Sequence, residues 1–305
     1  MIPSPLERLL SVTSGVPMLL DGGIGTLLLS KGSAERSPAP SPSFWYNLRE
    51  PDMVVAAHLR FLEAGSEILL VNSFCASRPF LNVLDATDST STVGEINRLA
   101  VKLARTAISR HGQPGTLVAG SIGPLSPEVS EAGQLDIFLE QANALASSGV
   151  DLFVCETFLD SRQLARAASA CRGAASRLGS PIPIVSSMVP HAPESVRELI
   201  SFQRDGLVDL IGLNCGADFN LSLSMLRLLS EQSAGPFWFK PSCGTPTIRE
   251  NVLKYPISPE TFAQELTALS KMIPLSAIGG CCGASSEHMR ALAKSLAGAG
   301  EQVTQ

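Results

Sequence analysis

Leu152-Phe153-Val154-Cys155-Glu156-Thr157-Phe158-Leu159-Asp160-Ser161-Arg162-Gln163 holds a complete strand-to-helix junction. Leu152–Cys155 is apolar without alternation, the pattern of a strand buried on both faces, as parallel sheets require. It breaks at the polar pair Glu156-Thr157. Asp160, with Gln163 three residues on, then resembles a capping box that opens a helix. Seven further apolar runs repeat the arrangement: Val16–Leu20, Ile68–Val71, Leu117–Ala119, Ile184–Ser187, Leu210–Leu213, Phe237–Phe239 and Leu275–Ile278. Helix signals lie between them. Pro51 suits a first helical position and precedes a stripe of Val54, His58, Phe61 and Leu62. Ser258-Pro259 pairs an N-cap with a first-turn proline, and Ser285 caps a helix in which Met289, Leu292, Ala293 and Leu296 share a face. Eight strand–helix units in alternation predict an α/β chain folded as one (β/α)8 TIM barrel over residues 1–305, in preference to a doubly wound sheet.

Composition sets the outer bounds. The chain has 305 residues, 45% hydrophobic and 17% charged, with a net charge of −5 and scattered acidic groups. That excludes intrinsic disorder and leaves no basic footprint for nucleic acid or an anionic membrane. No apolar run reaches the roughly 20 residues of a membrane span, and the N-terminus lacks the pattern of a secretory signal. Seven cysteines, two of them adjacent, read as thiols or a metal site in a reducing compartment, so the expected location is cytoplasmic. Three segments read as loops on the C-terminal face: Ser30–Ser43, Asp85–Gly94 and Gly244–Pro256. The first belongs to a long loop over residues 30–50 that runs into Phe44-Trp45-Tyr46, either a lid over the face or plain surface.

The polar and thiol residues gather where the predicted strands end. They are Asp21-Gly22-Gly23, Asn72-Ser73-Phe74-Cys75, Gly120-Ser121-Ile122-Gly123-Pro124, Glu156-Thr157, Asn214-Cys215-Gly216, Ser242-Cys243-Gly244 and Gly279-Gly280-Cys281-Cys282-Gly283. In a barrel these ends converge on one mouth, where the fold carries its chemistry. Strands six and eight are one strand apart, so Cys215 can face Cys281 and Cys282. Three thiolates without a fourth protein ligand suit a catalytic zinc that keeps one position open. A substrate thiol in that position becomes a thiolate at neutral pH, and alkyl transfer to sulfur is the natural reaction. No side chain needs to act as acid or base, because the reacting group is the substrate's own sulfur. Glu156 suits a substrate ammonium, and the glycine turn after Asp21 suits a carboxylate. None of the four histidines has a spacing partner that makes a metal or triad motif.

Taken in order, Asp21-Gly22-Gly23-Ile24-Gly25-Thr26, Asn72-Ser73-Phe74, Gly120-Ser121-Ile122-Gly123-Pro124, Glu156-Thr157, Gly212-Leu213-Asn214-Cys215 and Gly279-Gly280-Cys281-Cys282-Gly283 resemble the successive signatures of the homocysteine S-methyltransferase family. Cys281-Cys282-Gly283 with Glu287-His288, and Tyr255-Pro256-Ile257-Ser258-Pro259-Glu260, are most similar to the homocysteine-binding domain of cobalamin-dependent methionine synthase. The resemblance implies Zn2+ on Cys215, Cys281 and Cys282. It also implies homocysteine held by Glu156 and the backbone around Gly22 and Gly23, with Asn72 and Ser121 lining the pocket. Corrinoid-type relatives carry Pro-Asn-Ala/Ser-Gly on strand seven, where this chain has Pro241-Ser242-Cys243-Gly244. Ser242 therefore stands in a substrate-binding position without the amide.

The expected reaction is methionine formation by methyl transfer to the zinc-bound homocysteine thiolate. A corrinoid signature (Asp-x-His-x-x-Gly) is missing and the sequence stops soon after the barrel, so the expected donor is a small onium compound: S-methylmethionine, a betaine or a sulfonium acid. Phe44, Trp45 and Tyr46 are candidates to hold it by cation–π attraction, with hydrophobic anchoring of the loop as the plain alternative. Three rival readings remain: a related methyltransferase acting on selenocysteine or another thiol, a homocysteine-activating subunit that takes methyl from a methyl-corrinoid on a separate protein, and a non-catalytic zinc- or thiol-binding protein.

Overall fold

The computed structural model describes residues 3–11, 16–32, 42–84, 92–179, 181–249 and 252–303. Eight strands build the central sheet: β1 (Met18–Leu19), β2 (Ile68–Leu70), β3 (Leu117–Ile122), β4 (Leu152–Phe158), β5 (Ile184–Met188), β6 (Leu210–Cys215), β7 (Phe237–Pro241) and, after a hairpin of β8 (Thr247–Arg249) and β9 (Val252–Lys254), β10 (Leu275–Ile278). Their order is β1-β10-β7-β6-β5-β4-β3-β2, with every pairing parallel. The remaining seam, β1 to β2, closes through one parallel bridge, Leu20 to Ile68. The Asp21 carboxylate strengthens that seam, since its Oδ2 accepts the Leu70 N–H at 2.8 Å. Each predicted strand is present, and the helices pack around the outside as a (β/α)8 barrel.

Two cores follow from the period-two alternation of strands. One face of each strand joins the helices in a large outer core that includes Phe138, Phe153, Phe158, Phe237 and Phe239. The other face fills the barrel with Leu20, Ile68, Leu70, Leu117, Ala119, Leu152, Val154, Val185, Leu210, Trp238 and Ala277. β6 has no side chain at Gly212, where an added Cβ would run into the backbone carbonyl of Trp238 on β7, so the close approach of the two strands requires glycine there. At the N-terminal end, the short helix Pro5–Leu10, opened by a Ser4–Glu7 capping box, sends Leu9 into the same interior core. The sequence reading contained no such helix. With the floor plugged, a ligand has the C-terminal mouth to enter by.

Local differences have local causes. Asp160 does cap its helix, accepting from the Arg162 N–H, but Gln163 does not complete a box. Its amide oxygen instead accepts the Leu125 N–H of the neighbouring βα loop, a contact between segments distant in sequence. The segment expected as a loop over Gly244–Pro256 contains the β8–β9 hairpin. Of the loop expected at Ser30–Ser43, residues 33–41 lie outside the described residues, and the helix Ile24–Gly32 takes up its start. The expected Asp85–Gly94 loop is outside them over 85–91, and Val93 already begins a helix.

Candidate metal centre and substrate pocket

Two residues beyond the interior apolar layer, the same strand faces turn polar. Leu70, Ala119, Val154, Val185 and Trp238 are followed at +2 by Asn72, Ser121, Glu156, Ser187 and Lys240, and Asn214 stands at +4 from Leu210. All six are buried. They make the floor of the mouth, and the metal candidates stand beside it.

Cys215 ends β6, while Cys281 and Cys282 follow β10 in the turn closed by Gly283. Their three sulfurs lie within 4.8 Å of one another, and Cys215 and Cys282 are 4.0 Å apart. Tetrahedral zinc with sulfur at about 2.3 Å needs sulfurs ~3.8 Å apart, so the set fits the ion by both donor chemistry and spacing. β7 holds the two ligand segments together from between them. Ser242 N–H donates to the Cys215 carbonyl, Cys281 N–H to the Pro241 carbonyl and Cys243 N–H to the Cys282 carbonyl. Gly280 is required by close approach, since a Cβ there would run into the Ala284 Cβ. Gly283 has φ +82° and lies against the Tyr255 ring.

The three thiols share charge. Hydrogen bonds from Cys281, Cys282 and Ser242 pull the Cys215 thiol far below its ordinary range, and the same bonds push Cys281 up. A divalent cation held by the three sulfurs would take the place of these hydrogen bonds. Ser242 hydroxyl reaches the Cys215 sulfur at 3.5 Å, so in this arrangement it supports a candidate ligand. Cys243 is outside the cluster: it is fully buried, and desolvation with the nearby Cys282 charge pushes its thiol up to about 12.

Glu156 accepts from Ser121 Oγ at 2.5 Å and from Asn214 Nδ2 at 3.3 Å. Burial raises its pKa, while Lys240 and the Ser121 bond pull it back down. Asn214 was not among the expected site residues, yet it ties the pocket together. Its Oδ1 accepts from Thr157 N–H and from Ser187 hydroxyl, both at 2.8 Å, and its Nδ2 donates to Thr157 Oγ1 at 2.7 Å. Thr157 and Cys215, on either side of this amide, have φ of +66° and +61°. Such strain, about 1–3 kcal/mol each, persists only where surroundings over-determine it, and it clusters at functional sites.

Other expected site residues have different partners. Asp21 is fully buried, bonded to Leu70 and ion-paired at 3.2 Å with Lys240, an approach outside hydrogen-bond geometry. Gly23 N–H is taken by the Ala284 carbonyl. The Asn72 side chain bonds Ser43 and Asn47 and so fastens the segment after the first loop to the mouth. Phe44 and Trp45 are 0% and 4% exposed in a small core with Ala76, Leu81, Val93 and Ile96, and Arg49 lies over the Trp45 ring. A donor needs an open ring face, which these two do not present. Tyr46 is half-buried against the outer core.

At the mouth of this parallel barrel three cysteines stand together, and the same mouth holds a buried carboxylate. The chain belongs to the homocysteine S-methyltransferase family, whose pattern matches residues 18–296. It is 27% identical to the methionine synthase of Mycobacterium tuberculosis over 95% of its own length and 25% of that protein. The methionine synthase of Mycobacterium leprae is also 27% identical, over 82% of this chain and 22% of that protein. The chain therefore spans about a quarter of the length of these relatives. In fold it is similar to the homocysteine methyltransferase MmuM from Escherichia coli, apo form, with a TM-score of 0.70, 19% identity, and 95% and 99% of the two chains covered. The metallated form of that enzyme gives 0.69 and 21%, covering 93% and 98%. No helix among the described residues is long and apolar enough to cross a membrane.

Proposed function

We propose that the protein is a zinc-dependent homocysteine S-methyltransferase that makes methionine, with a small onium compound as methyl donor. The observation that carries this reading is the set of three sulfurs within 4.8 Å, contributed by β6 and the turn after β10, beside the buried carboxylate of Glu156. Cys215, Cys281 and Cys282 would hold the ion, which supplies the Lewis acidity that keeps a fourth sulfur as a thiolate at neutral pH. Glu156, oriented by Ser121 and Asn214, takes the substrate ammonium. Gly22 and the first turn of the helix Ile24–Gly32, where N–H groups lack intrahelical acceptors, face the carboxylate. Asn72, Ser121 and Ser242 border this pocket, Asn72 and Ser242 through the segments they hold. The substrate sulfur attacks the methyl carbon, the new S–C bond forms as the carbon–heteroatom bond breaks, and the electron pair leaves with the donor.

For the donor, two half-buried rings suit a cation better than the buried pair at 44–45. Tyr255 packs on Gly283 beside the metal turn, and Phe74 packs on Gly123. Their faces can attract an onium methyl group. The similarity to methionine synthases supports a second reading, in which a separate corrinoid protein delivers the methyl group. A panel of S-methylmethionine, glycine betaine, dimethylsulfonioacetate and a methyl-corrinoid protein, each with homocysteine and zinc-loaded enzyme, decides between them. Methionine from one of the onium donors supports the first reading. Methionine from the corrinoid arm alone overturns it, and none from any donor overturns both.

A further inference from the structure

Lys240 is the one buried lysine among the described residues, 3% exposed, in the otherwise apolar run Phe237-Trp238-Phe239-Lys240-Pro241. It shares the interior face with Trp238, so its ammonium stands directly above the apolar filling of the barrel. Its Nζ donates to the Gly280 carbonyl at 2.6 Å and to the Gly22 carbonyl at 3.0 Å, with Asp21 Oδ1 at 3.2 Å. Two hydrogen bonds and one ion pair thus hold the ammonium within the protein, directed at the two turns and at Asp21. The two carbonyls belong to the two turns that the proposed reaction depends on. Gly280 immediately precedes Cys281, and Gly22 opens the glycine turn. Two backbone bonds also tie these stretches together, from Gly23 N–H to the Ala284 carbonyl and from Gly280 N–H to the Asp21 carbonyl. No other described side chain bonds both turns.

We propose that Lys240 is a positioning residue that locks the Gly279–Ala284 metal turn to the Gly22–Gly23 turn, setting the cysteine sulfurs and the carboxylate subsite at a fixed separation. An apolar residue there would leave the buried Gly280 carbonyl without a donor, the Gly22 carbonyl with the Ile24 N–H alone, and a buried Asp21 without its cation, which costs more than the lost bonds alone. The turns would then relax apart. Asp21 takes its place in this arrangement as the countercharge that lets a lysine be buried here. The inference rests on the zinc reading of Cys215, Cys281 and Cys282, and its test separates the two.

Lys240→Met keeps the volume and removes the donors. In metal-free protein, amide exchange over 279–284 is expected to speed up in the variant. Zinc affinity measured against a chromophoric chelator is expected to fall by the ~10–100-fold typical of lost outer-shell partners. The homocysteine KM is expected to rise with it. A merely structural lysine would lower the melting temperature and leave all three unchanged in the folded protein, and that result overturns the proposal. If the variant does not fold, the wild-type protein labelled with 15N-lysine decides. The one buried ammonium should exchange slowly and shift on addition of one equivalent of zinc, and a resonance indifferent to zinc overturns the proposal. Failure of the wild type to bind zinc or to methylate homocysteine overturns the functional reading, while the exchange measurement on metal-free protein still reports on the clamp.

Discussion

Glu156 shows how much chemistry one strand position can carry. The alternation that fills the barrel with Leu152 and Val154 puts its carboxylate in the mouth, where Ser121 and Asn214 fix both oxygens. Replacing it with glutamine keeps the shape and removes the charge that meets an ammonium. A hydrogen bond to a charged group is worth about 1.5–3 kcal/mol, so Glu156→Gln should raise the homocysteine KM by roughly 10–100-fold. Zinc content, measured by metal analysis, should stay near one per chain; an unchanged KM would remove Glu156 from the amine subsite. Cys215→Ser should act in the opposite order. It removes one of three sulfurs, so zinc retention through gel filtration should be lost before any effect on homocysteine binding can be read. Full zinc occupancy in that variant would reject the metal assignment. Both residues were legible in the sequence because a carboxylate and a thiol at strand ends have few structural uses. Lys240 was not, because an apolar run with one lysine reads equally well as a strand end. Only its shared face with Trp238, visible once the register is known, marks it as interior.

Turns and strand ends hold these side chains in place, and their backbone geometry makes predictions of its own. Gly283 has φ +82° with the Tyr255 ring packed against it, so Gly283→Ala is both strained and obstructed. It should displace Cys282 or Tyr255 and weaken zinc binding measured by chelator competition, while far-ultraviolet circular dichroism stays that of the wild type. Asn214→Ala removes the amide that grips Thr157 at its N–H and hydroxyl and orients Glu156. Buried partners left unsatisfied cost ~1–3 kcal/mol each, so a clear drop in the urea midpoint is expected together with a raised homocysteine KM. A drop in stability with KM unchanged would make Asn214 a packing residue only. The eight strands were legible because burial on both faces leaves near-continuous apolar runs. The capping role of Asp160, Ser258 and Ser285 was legible because capping is local. The role of Gln163 was not, since its partner is Leu125, and neither was the β8–β9 hairpin, whose exposed cross-strand pair Ile248 and Leu253 gives no sign of a buried face.

The apolar cores that hold the barrel together lie apart from the three cysteines. The outer core surrounds the sheet, the interior core is plugged at the floor by Leu9, and the three cysteines sit above both at the rim. Burial of this kind scales with apolar area and is the dominant favourable term in folding, whereas an ion at the rim stabilises only through its binding to the folded state. At a thousandfold excess over its dissociation constant that linkage is worth about 4 kcal/mol. Chelation should therefore lower the melting temperature by no more than on the order of ten degrees, leave far-ultraviolet circular dichroism unchanged and abolish methyl transfer. Zinc added back should restore turnover in full, because the sulfurs are brought together by the β6, β7 and β10 segments and not by the ion. Collapse of secondary structure on chelation would contradict this, since it would make the metal part of the fold. Persistent turnover in metal-free protein would contradict it from the other side, since the substrate sulfur would then need no activation by the three cysteines.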